Sequence, residues 1–260
     1  MKKKMMLSVV IIAKNEETMI KDCLESVRQL ADEIILIDSG SVDKTCQIAK
    51  RFQARIVADI AQGVNFSRWR NRGLKEAQGE WIFYLDADER ATPALGEEIK
   101  KAMRSKEFSA YEIPRRNFYL GQEMRFGGAW PDYVKRLYLK TALKRWERDL
   151  HEDPVFEGKI SRLKEPMIHL THRDLSSMVE KTKKWSKIEA NLLYKDYPGG
   201  HPPVTWWRIL RMMLTEFWYR GIKLQGIRDG TVGWIEVIFQ MFSRFMTYAR
   251  LWEIQRRNRA

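Results

Sequence analysis

Residues 81–90 read WIFYLDADER: five apolar residues run straight into Asp86 and Asp88. A short apolar run without alternation marks a strand covered on both faces. Aspartate is disfavoured inside strands, and an unpaired buried carboxylate is costly. The strand WIFYL therefore runs straight into like charges, and the rest of the chain has to supply a cation, or another reason, that makes them tolerable. On either side the pattern is helical. RWRNRGLKEAQG (68–79) precedes the strand and stops at Gly79; PALGEEIKKAM (93–103) follows it with a proline in its first turn. Three more apolar runs lie upstream, LSVVII (7–12), EIILID (33–38) and ARIVA (54–58). Residues 15–30 place Met19, Ile20, Leu24, Val27 and Leu30 on one helical face, with Asn15 as the expected N-cap, and a further helix passes through Ile48, Ala49 and Phe52. Alternating strands and helices predict an α/β fold, a mainly parallel sheet with helices on both faces.

Beyond residue 108 the texture changes. SAYEIPRRNFYLG, QEMRFGGAW and YVKRLYLK read as antiparallel strands or loops rich in aromatics and arginine. From Asp174 onward the chain reads as helical, broken by YPGGHPP at 197–203. Helices are predicted over Trp206–Tyr219 and Trp234–Trp252. In the latter, Trp234, Val237, Ile238, Met241, Phe245, Tyr248 and Trp252 form one stripe, opposite Glu236, Gln240, Ser243, Thr247 and Arg250. The expected organisation is one domain over 1–172, divided into halves 1–104 and 105–172, with a basic, aromatic-rich helical extension over 173–260.

The chain has 260 residues, 44% hydrophobic and 31% charged, a composition that excludes intrinsic disorder. Its net charge of +13 is uneven: residues 1–100 carry 16 basic and 16 acidic side chains, so the whole excess lies in 101–260. Cys23 and Cys46, the only cysteines, have no metal-ligand spacing, which points to a reducing compartment. The basic N-terminus leads into a short apolar run broken by Ser8 and closed by Lys14, Glu16 and Glu17, which reads as a first strand rather than an export signal.

Ligands of open parallel sheets sit at the carboxyl ends of the strands. AKNEE, DSGSVDKT and DADER all fall there, and their convergence says more than any one of them. Asp38 is placed to accept hydrogen bonds from a base or ribose. Asp86 and Asp88 suit Mg²⁺ or Mn²⁺, which take oxygen ligands and bridge to substrate phosphates. A phosphatase-type nucleophile is disfavoured, because the motif follows the fourth strand and Arg90 stands where Thr or Val is required.

Together SVVIIAKNEE, ADEIILIDSGSVDKT, RNRGLKEAQGEWIFYLDADE and TPALGEEI resemble family 2 glycosyltransferases of the GT-A (Rossmann-like) fold. YEIPRRNFYLGQEMRFGGAWPDYVKRLY, the HE at 151–152, the IH at 168–169 and RFMTYARLWE extend the likeness to the bacterial lipopolysaccharide core β-1,4-glucosyltransferase family. This resemblance implies an inverting, metal-dependent transfer of a hexose, glucose in that family, from a UDP-sugar to a lipid-linked saccharide. It implies that Ala13, Asn15, Glu16 and Asp38 dock the nucleotide and that Arg70 and Asn71 lie near it. Asp86 would face ribose and metal, Asp88 would be a direct metal ligand, and Arg136 would bind the diphosphate. His169 would be a third metal or diphosphate contact, and His151 would orient Glu152 or the acceptor.

Such a transfer needs a carboxylate to deprotonate the acceptor hydroxyl. Asp132, in GGAWPD, and Glu152, in DLHEDP, are the candidates, with Trp130 placed to stack on a sugar ring. His172 and His201 read as structural. Residues 201–260 hold ten Lys or Arg against four Asp or Glu, among five tryptophans. This surface either packs on the catalytic domain or meets an anionic membrane, which would make the protein cytoplasmic and peripheral on the inner face of the cytoplasmic membrane. The competing classes are a non-catalytic protein of glycosyltransferase shape and a basic nucleic-acid-binding protein. Against the latter, no nucleic-acid module is recognisable and no such partner is expected.

Overall fold

The computed structural model describes residues 7–60, 65–105, 107–148, 152–195 and 202–258. The elements run β1 (Leu7–Ala13), α1 (Ile20–Val27), β2 (Glu33–Asp38), α2 (Thr45–Arg51), β3 (Arg55–Ala58), α3 (Phe66–Glu76), β4 (Trp81–Asp86), β5 (Glu89–Ala91) and α4 (Pro93–Ser105). Next come β6 (Ala110–Tyr119), β7 (Gln122–Glu123), β8 (Asp132–Leu139), β9 (Leu143–Glu147), β10 (Asp153–Phe156), β11 (Ile160–Arg162) and β12 (Met167–Leu170). Three long helices follow, α5 (Leu175–Lys195), α6 (Trp206–Glu216) and α7 (Gly230–Arg257), with a π-helical segment at Phe217–Lys223. The chain forms two compact units, 1–115 with 133–169, and 116–132 with 170–260. Segment 116–132, assigned from sequence to the 105–172 half of the first domain, thus groups with the C-terminal helices.

In the first unit the strand order is β3-β2-β1-β4-β8-β6-β12-β5, with β11 alongside β6. β1 is parallel to β2 and β4, and β8 is antiparallel to β4. This is the mixed, mainly parallel sheet expected. Val9, Ile11, Phe83 and Leu85 pack one face against α1 and α4 through Leu24, Val27, Leu95 and Ile99. Val10, Ile12, Ile82 and Tyr84 pack the other against Trp69 of α3 and Trp146 of β9. The β9–β10 hairpin thus covers part of the second face. Phe83 is wholly buried, so its truncation to alanine would cost about 3–5 kcal/mol. α3 approaches so closely that a Cβ on Gly73 would lie 2.4 Å from Val10 Cγ1.

Two local details differ from the sequence reading. Asn15 does not cap α1: it sits at φ +55°, and its Oδ1 accepts from Val42 N at 2.8 Å, so the helix begins five residues later at Ile20. The edge strand β3 is short, and Arg55 on it bonds Glu76 Oε2 at 2.6 Å and the Glu76 carbonyl at 2.5 Å.

In the second unit the end of β6 pairs with β7. The buried Asp229 carboxylate accepts from Arg125 N and Phe126 N, at 3.1 and 2.9 Å, fixing the loop that follows β7. α5, α6 and α7 meet around Ala190, Val204, Tyr248 and Leu251. α7 departs from the predicted stripe. Val237 and Tyr248 are buried, but Trp234, Ile238, Phe245 and Trp252 are exposed, whereas Glu236 and Thr247 face inward. The polar residues find partners there: Glu236 Oε1 accepts from Gln240 Nε2 at 2.7 Å, and Thr247 Oγ1 donates to Glu189 Oε2 at 3.0 Å, while Glu236 Oε2 lies 3.2 Å from His172 Nδ1. Among the described residues, no helix is long and apolar enough to cross a membrane.

Candidate active site

The sheet register brings the first site residues together. Ala13 is paired with Asp38, and Ile12 with Asp86, so β1, β2 and β4 deliver their polar ends to one edge. Asp38 accepts Ser41 N through both oxygens, at 3.1 and 3.3 Å, shaping the loop after β2. Asn15 N donates to Ser41 Oγ at 3.0 Å and Glu16 N to Thr45 Oγ1 at 2.8 Å, so the loops after β1 and β2 are laced together. Ala13, Asn15, Glu16 and Asp38 therefore occupy one continuous rim.

At the end of β4, Asp86 meets its cations. Oδ2 accepts from Arg136 Nη2, and Oδ1 accepts from Arg70 Nη2 at 3.3 Å. Arg70 Nε donates to Glu152 Oε1 at 2.8 Å. The Arg70 guanidinium lies 4.9 Å from the Trp146 ring centroid and 5.5 Å from that of Tyr84, so aromatic faces support its charge. Burial alone would push the Asp86 carboxyl upward, but Arg136 and then Arg70 outweigh it and hold the group well below the usual carboxylate range. For Arg136, burial opposes the charge, and Asp86 with Glu89 reverses the effect, raising its pKa above that of an ordinary arginine.

Glu89 is the member of this cluster that sequence reasoning missed. It is 0% exposed, accepts Arg136 Nη2 at 2.7 Å and Arg115 Nη1 at 3.4 Å, and takes the backbone N–H of Asp86 on Oε2 at 2.9 Å. The available signal was its place three residues after Asp86, where a turn returns the side chain to the strand end. Arg90 holds that turn by donating to the carbonyls of Ala87, Glu89 and Met19.

Arg70, Asp86, Arg115, Tyr133, Arg136 and Glu152 line an open cleft of about 470 Å³ in the first unit. Arg70 and Arg136 are only 2% and 5% exposed. Among the described residues, Arg70 Nη1 and Arg136 Nε are buried without a hydrogen-bond partner. Orphaned guanidinium N–H groups in a cleft suit an incoming phosphate or carboxylate oxygen.

Asp88 has a different partner from Asp86. Its Oδ2 lies 3.6 Å from His169 Nε2, and β12 sets His169 opposite Glu89 in the strand register. Among the described residues, no three His, Cys, Asp or Glu side chains form a ready-made metal cage. A carboxylate with an imidazole nonetheless fits a cation that fills the rest of its shell with water and substrate phosphates, as Mg²⁺ and Mn²⁺ do.

The other expected residues fall elsewhere. Asn71 turns to the backbone of Trp146, donating to its carbonyl and accepting from its N–H, both at 2.8 Å. Asp132 belongs to the second unit, where Asn117 Nδ2 donates to its Oδ2 at 3.0 Å and to the Ala129 carbonyl at 2.9 Å. Trp130, also in that unit, is exposed. His151 lies outside the described residues, as does His201.

Residues 8–155 match the profile of glycosyl transferase family 2. A lipopolysaccharide core biosynthesis glycosyltransferase of Rhizobium meliloti is 26% identical over 96% of this chain and 93% of its own. An uncharacterised glycosyltransferase of Rickettsia typhi is 25% identical over 97% of this chain and 89% of its own. Among solved structures, a glucosyl-3-phosphoglycerate synthase of Mycobacterium tuberculosis in complex with Mn²⁺, UDP-glucose and phosphoglyceric acid aligns at a TM-score of 0.36. That alignment has 24% identity and covers 44% of each chain, so this chain spans less than half of that structure's length. With its mainly parallel sheet, its family profile and its chain-long likeness to named glycosyltransferases, the chain belongs to glycosyl transferase family 2, and it is a glycosyltransferase of the GT-A fold.

Proposed function

We propose that the protein transfers a hexose, glucose first among the candidates, from a UDP-sugar to a lipid-linked saccharide of the lipopolysaccharide-core kind. It would do so with inversion, at the inner face of the cytoplasmic membrane. The observation that carries the proposal is the cleft at the end of β4, where buried Arg70 and Arg136 flank Asp86 and keep unpartnered N–H groups. In this reading the rim of Ala13, Asn15, Glu16 and Asp38 receives the uracil and ribose. Arg70 and Arg136 receive the diphosphate, with Asp86 fixing both guanidinium planes.

Asp88 and His169 are the residues that would hold a Mn²⁺ or Mg²⁺ ion. When bound, the ion supplies positive charge against the leaving diphosphate. The acceptor hydroxyl forms its bond to the anomeric carbon as the bond from that carbon to the diphosphate oxygen breaks. The hydroxyl proton passes to a carboxylate, and UDP departs. Of the two candidate bases, Glu152 lines the same cleft as Asp86 and is held in orientation by Arg70, so it receives this role. Asp132, held by Asn117, and Trp130 are assigned to the acceptor, and Asn71 acts by fastening β9.

The test is a panel of UDP-sugars measured for binding and slow hydrolysis, with and without Mn²⁺. One UDP-hexose should bind with metal and be hydrolysed. If none bound under either condition, the donor assignment would fail.

A further inference from the structure

The second unit turns large apolar side chains outward along two helices. On α6 and the π-helical segment, Trp206, Leu210, Leu214, Trp218 and Ile222 recur at every fourth position, and all are exposed, Trp206 by 75% and Trp218 by 63%. The inward side of α6 supplies Ile209 and Met212 to the helical core, so the outward stripe is surplus to packing. On α7, Trp234, Ile238, Phe242, Phe245 and Trp252, at helical spacings of three, four and seven, are exposed too, while Glu236, Thr247 and Gln255 are buried. Helices with polar groups inside and aromatics outside are arranged for surroundings less polar than water. The Phe217 and Trp234 rings, 6.3 Å apart, join the two segments.

The charges around these stripes are mainly positive. Over 202–258, Asp229 and Glu236 are buried, Glu216 binds Arg220 and Arg244, and Glu253 is paired with Arg257 at 2.7 Å. Arg211, Lys223, Arg228, Arg256 and Arg257 are exposed. Arg256 lies 5.4 Å from the Trp252 ring centroid and Lys223 5.4 Å from that of Tyr219, so cations border the aromatics. Aromatic rings edged by cations match the boundary between acyl chains and anionic headgroups. A second copy of the same face would oppose like charges, which disfavours self-association.

We propose that the outward stripes of α6 and α7 seat the second unit in the headgroup layer of an anionic phospholipid bilayer. This rests on the reading that the acceptor is lipid-linked, and it assigns the surface that brings enzyme and acceptor to the same plane.

The test is flotation of the full chain with phosphatidylcholine vesicles, with or without phosphatidylglycerol, at low and high salt. The paired variants Trp206→Ser/Trp218→Ser and Ile238→Ser/Trp252→Ser are compared with the parent. Binding to the phosphatidylglycerol vesicles at low salt, weakened by salt and by about tenfold or more in each variant, is the expected result. Calorimetric UDP-glucose binding without vesicles should stay within about twofold of the parent in both variants, which shows that they are folded. Three results would overturn the proposal: no flotation with anionic vesicles, flotation indifferent to both variants, or a dimer in sedimentation velocity that the variants dissolve. A chain that floats but binds no UDP-sugar overturns the donor reading and keeps this surface; one that binds UDP-sugar but does not float does the reverse.

Discussion

A single nitrogen of Arg136, Nη2, serves two carboxylates, Asp86 at the end of β4 and the wholly buried Glu89 three residues on. The shared donor locks strand end and turn into one unit, and it fixes where the guanidinium plane points. Removing Glu89 leaves Arg136 with one counter-ion and strips the Asp86 N–H of its acceptor. Glu89→Ala should lower stability by about 3–5 kcal/mol, read from the urea midpoint. Glu89→Gln should recover part of the loss, because its amide oxygen can still accept.

Asp86 and Asp88 should separate when each is changed to asparagine. Asp88→Asn alters a carboxylate that faces His169 and leaves the arginine cluster intact. It should weaken Mn²⁺-dependent UDP binding by about tenfold or more with little change in melting temperature. Asp86→Asn discards the counter-ion shared by Arg70 and Arg136 and should lower the melting temperature as well. Chelation with EDTA should reduce the parent to the transfer rate of Asp88→Asn.

The base assignment has its own readout. Glu152→Gln should cut transfer by about a hundredfold or more while UDP-sugar still binds. Asp132→Asn should raise the acceptor KM with a smaller loss of kcat. The opposite ranking would move the base to Asp132.

Cys23 is wholly buried and Cys46 partly exposed. Burial pushes the Cys23 thiol far above its ordinary value; Arg90 opposes this, and Glu89, Asp88 and Asp86 add to it. Burial also raises Cys46, with Asp38 adding to it. A thiol reagent at pH 8 should therefore modify Cys46 slowly and leave Cys23 untouched until denaturant is added, as peptide mapping will show.

Asp229 accepts two backbone N–H groups of the loop after β7, which leads to Trp130 and Asp132. Asp229→Ala should destabilise the protein by about 2 kcal/mol. Donor hydrolysis should persist while transfer to the acceptor declines, and comparing the two assays on one preparation checks it.

The runs LSVVII, EIILID and WIFYL were legible as strands because both faces of each are covered, which leaves no polar alternation to mislead. The DADER carboxylates were legible as a site because aspartates at a buried strand end demand a partner. The partners were legible only through the family resemblance, which named Arg70 and Arg136, and not through spacing. Arg136 lies 50 residues from Asp86, and Glu152 lies 82 from Arg70, so only the antiparallel return of β8 and the β9–β10 hairpin brings them in. Glu89 was overlooked because its neighbours in sequence are equally charged, and its place three residues after Asp86 counts only once the chain is known to turn there. Asn15 looked like a helix cap by residue type, yet its left-handed backbone commits its side chain to Val42 N. α7 defeated the polar-outside rule because Thr247 is claimed by Glu189 of α5 and Glu236 is buried beside His172.

Arg55 on the edge strand β3 has a consequence for assembly. An unguarded edge offers unpaired N–H and C=O groups to any extended segment that drifts past. β3 has only four residues, and the Arg55 side chain ties back to Glu76 and Glu33 of the same unit. At the far end of the sheet, β5 is buried along its whole length. A foreign strand therefore finds no long template at either end, and growth into ribbons or fibrils is stopped at the edges while the carboxyl ends of the central strands stay open for chemistry.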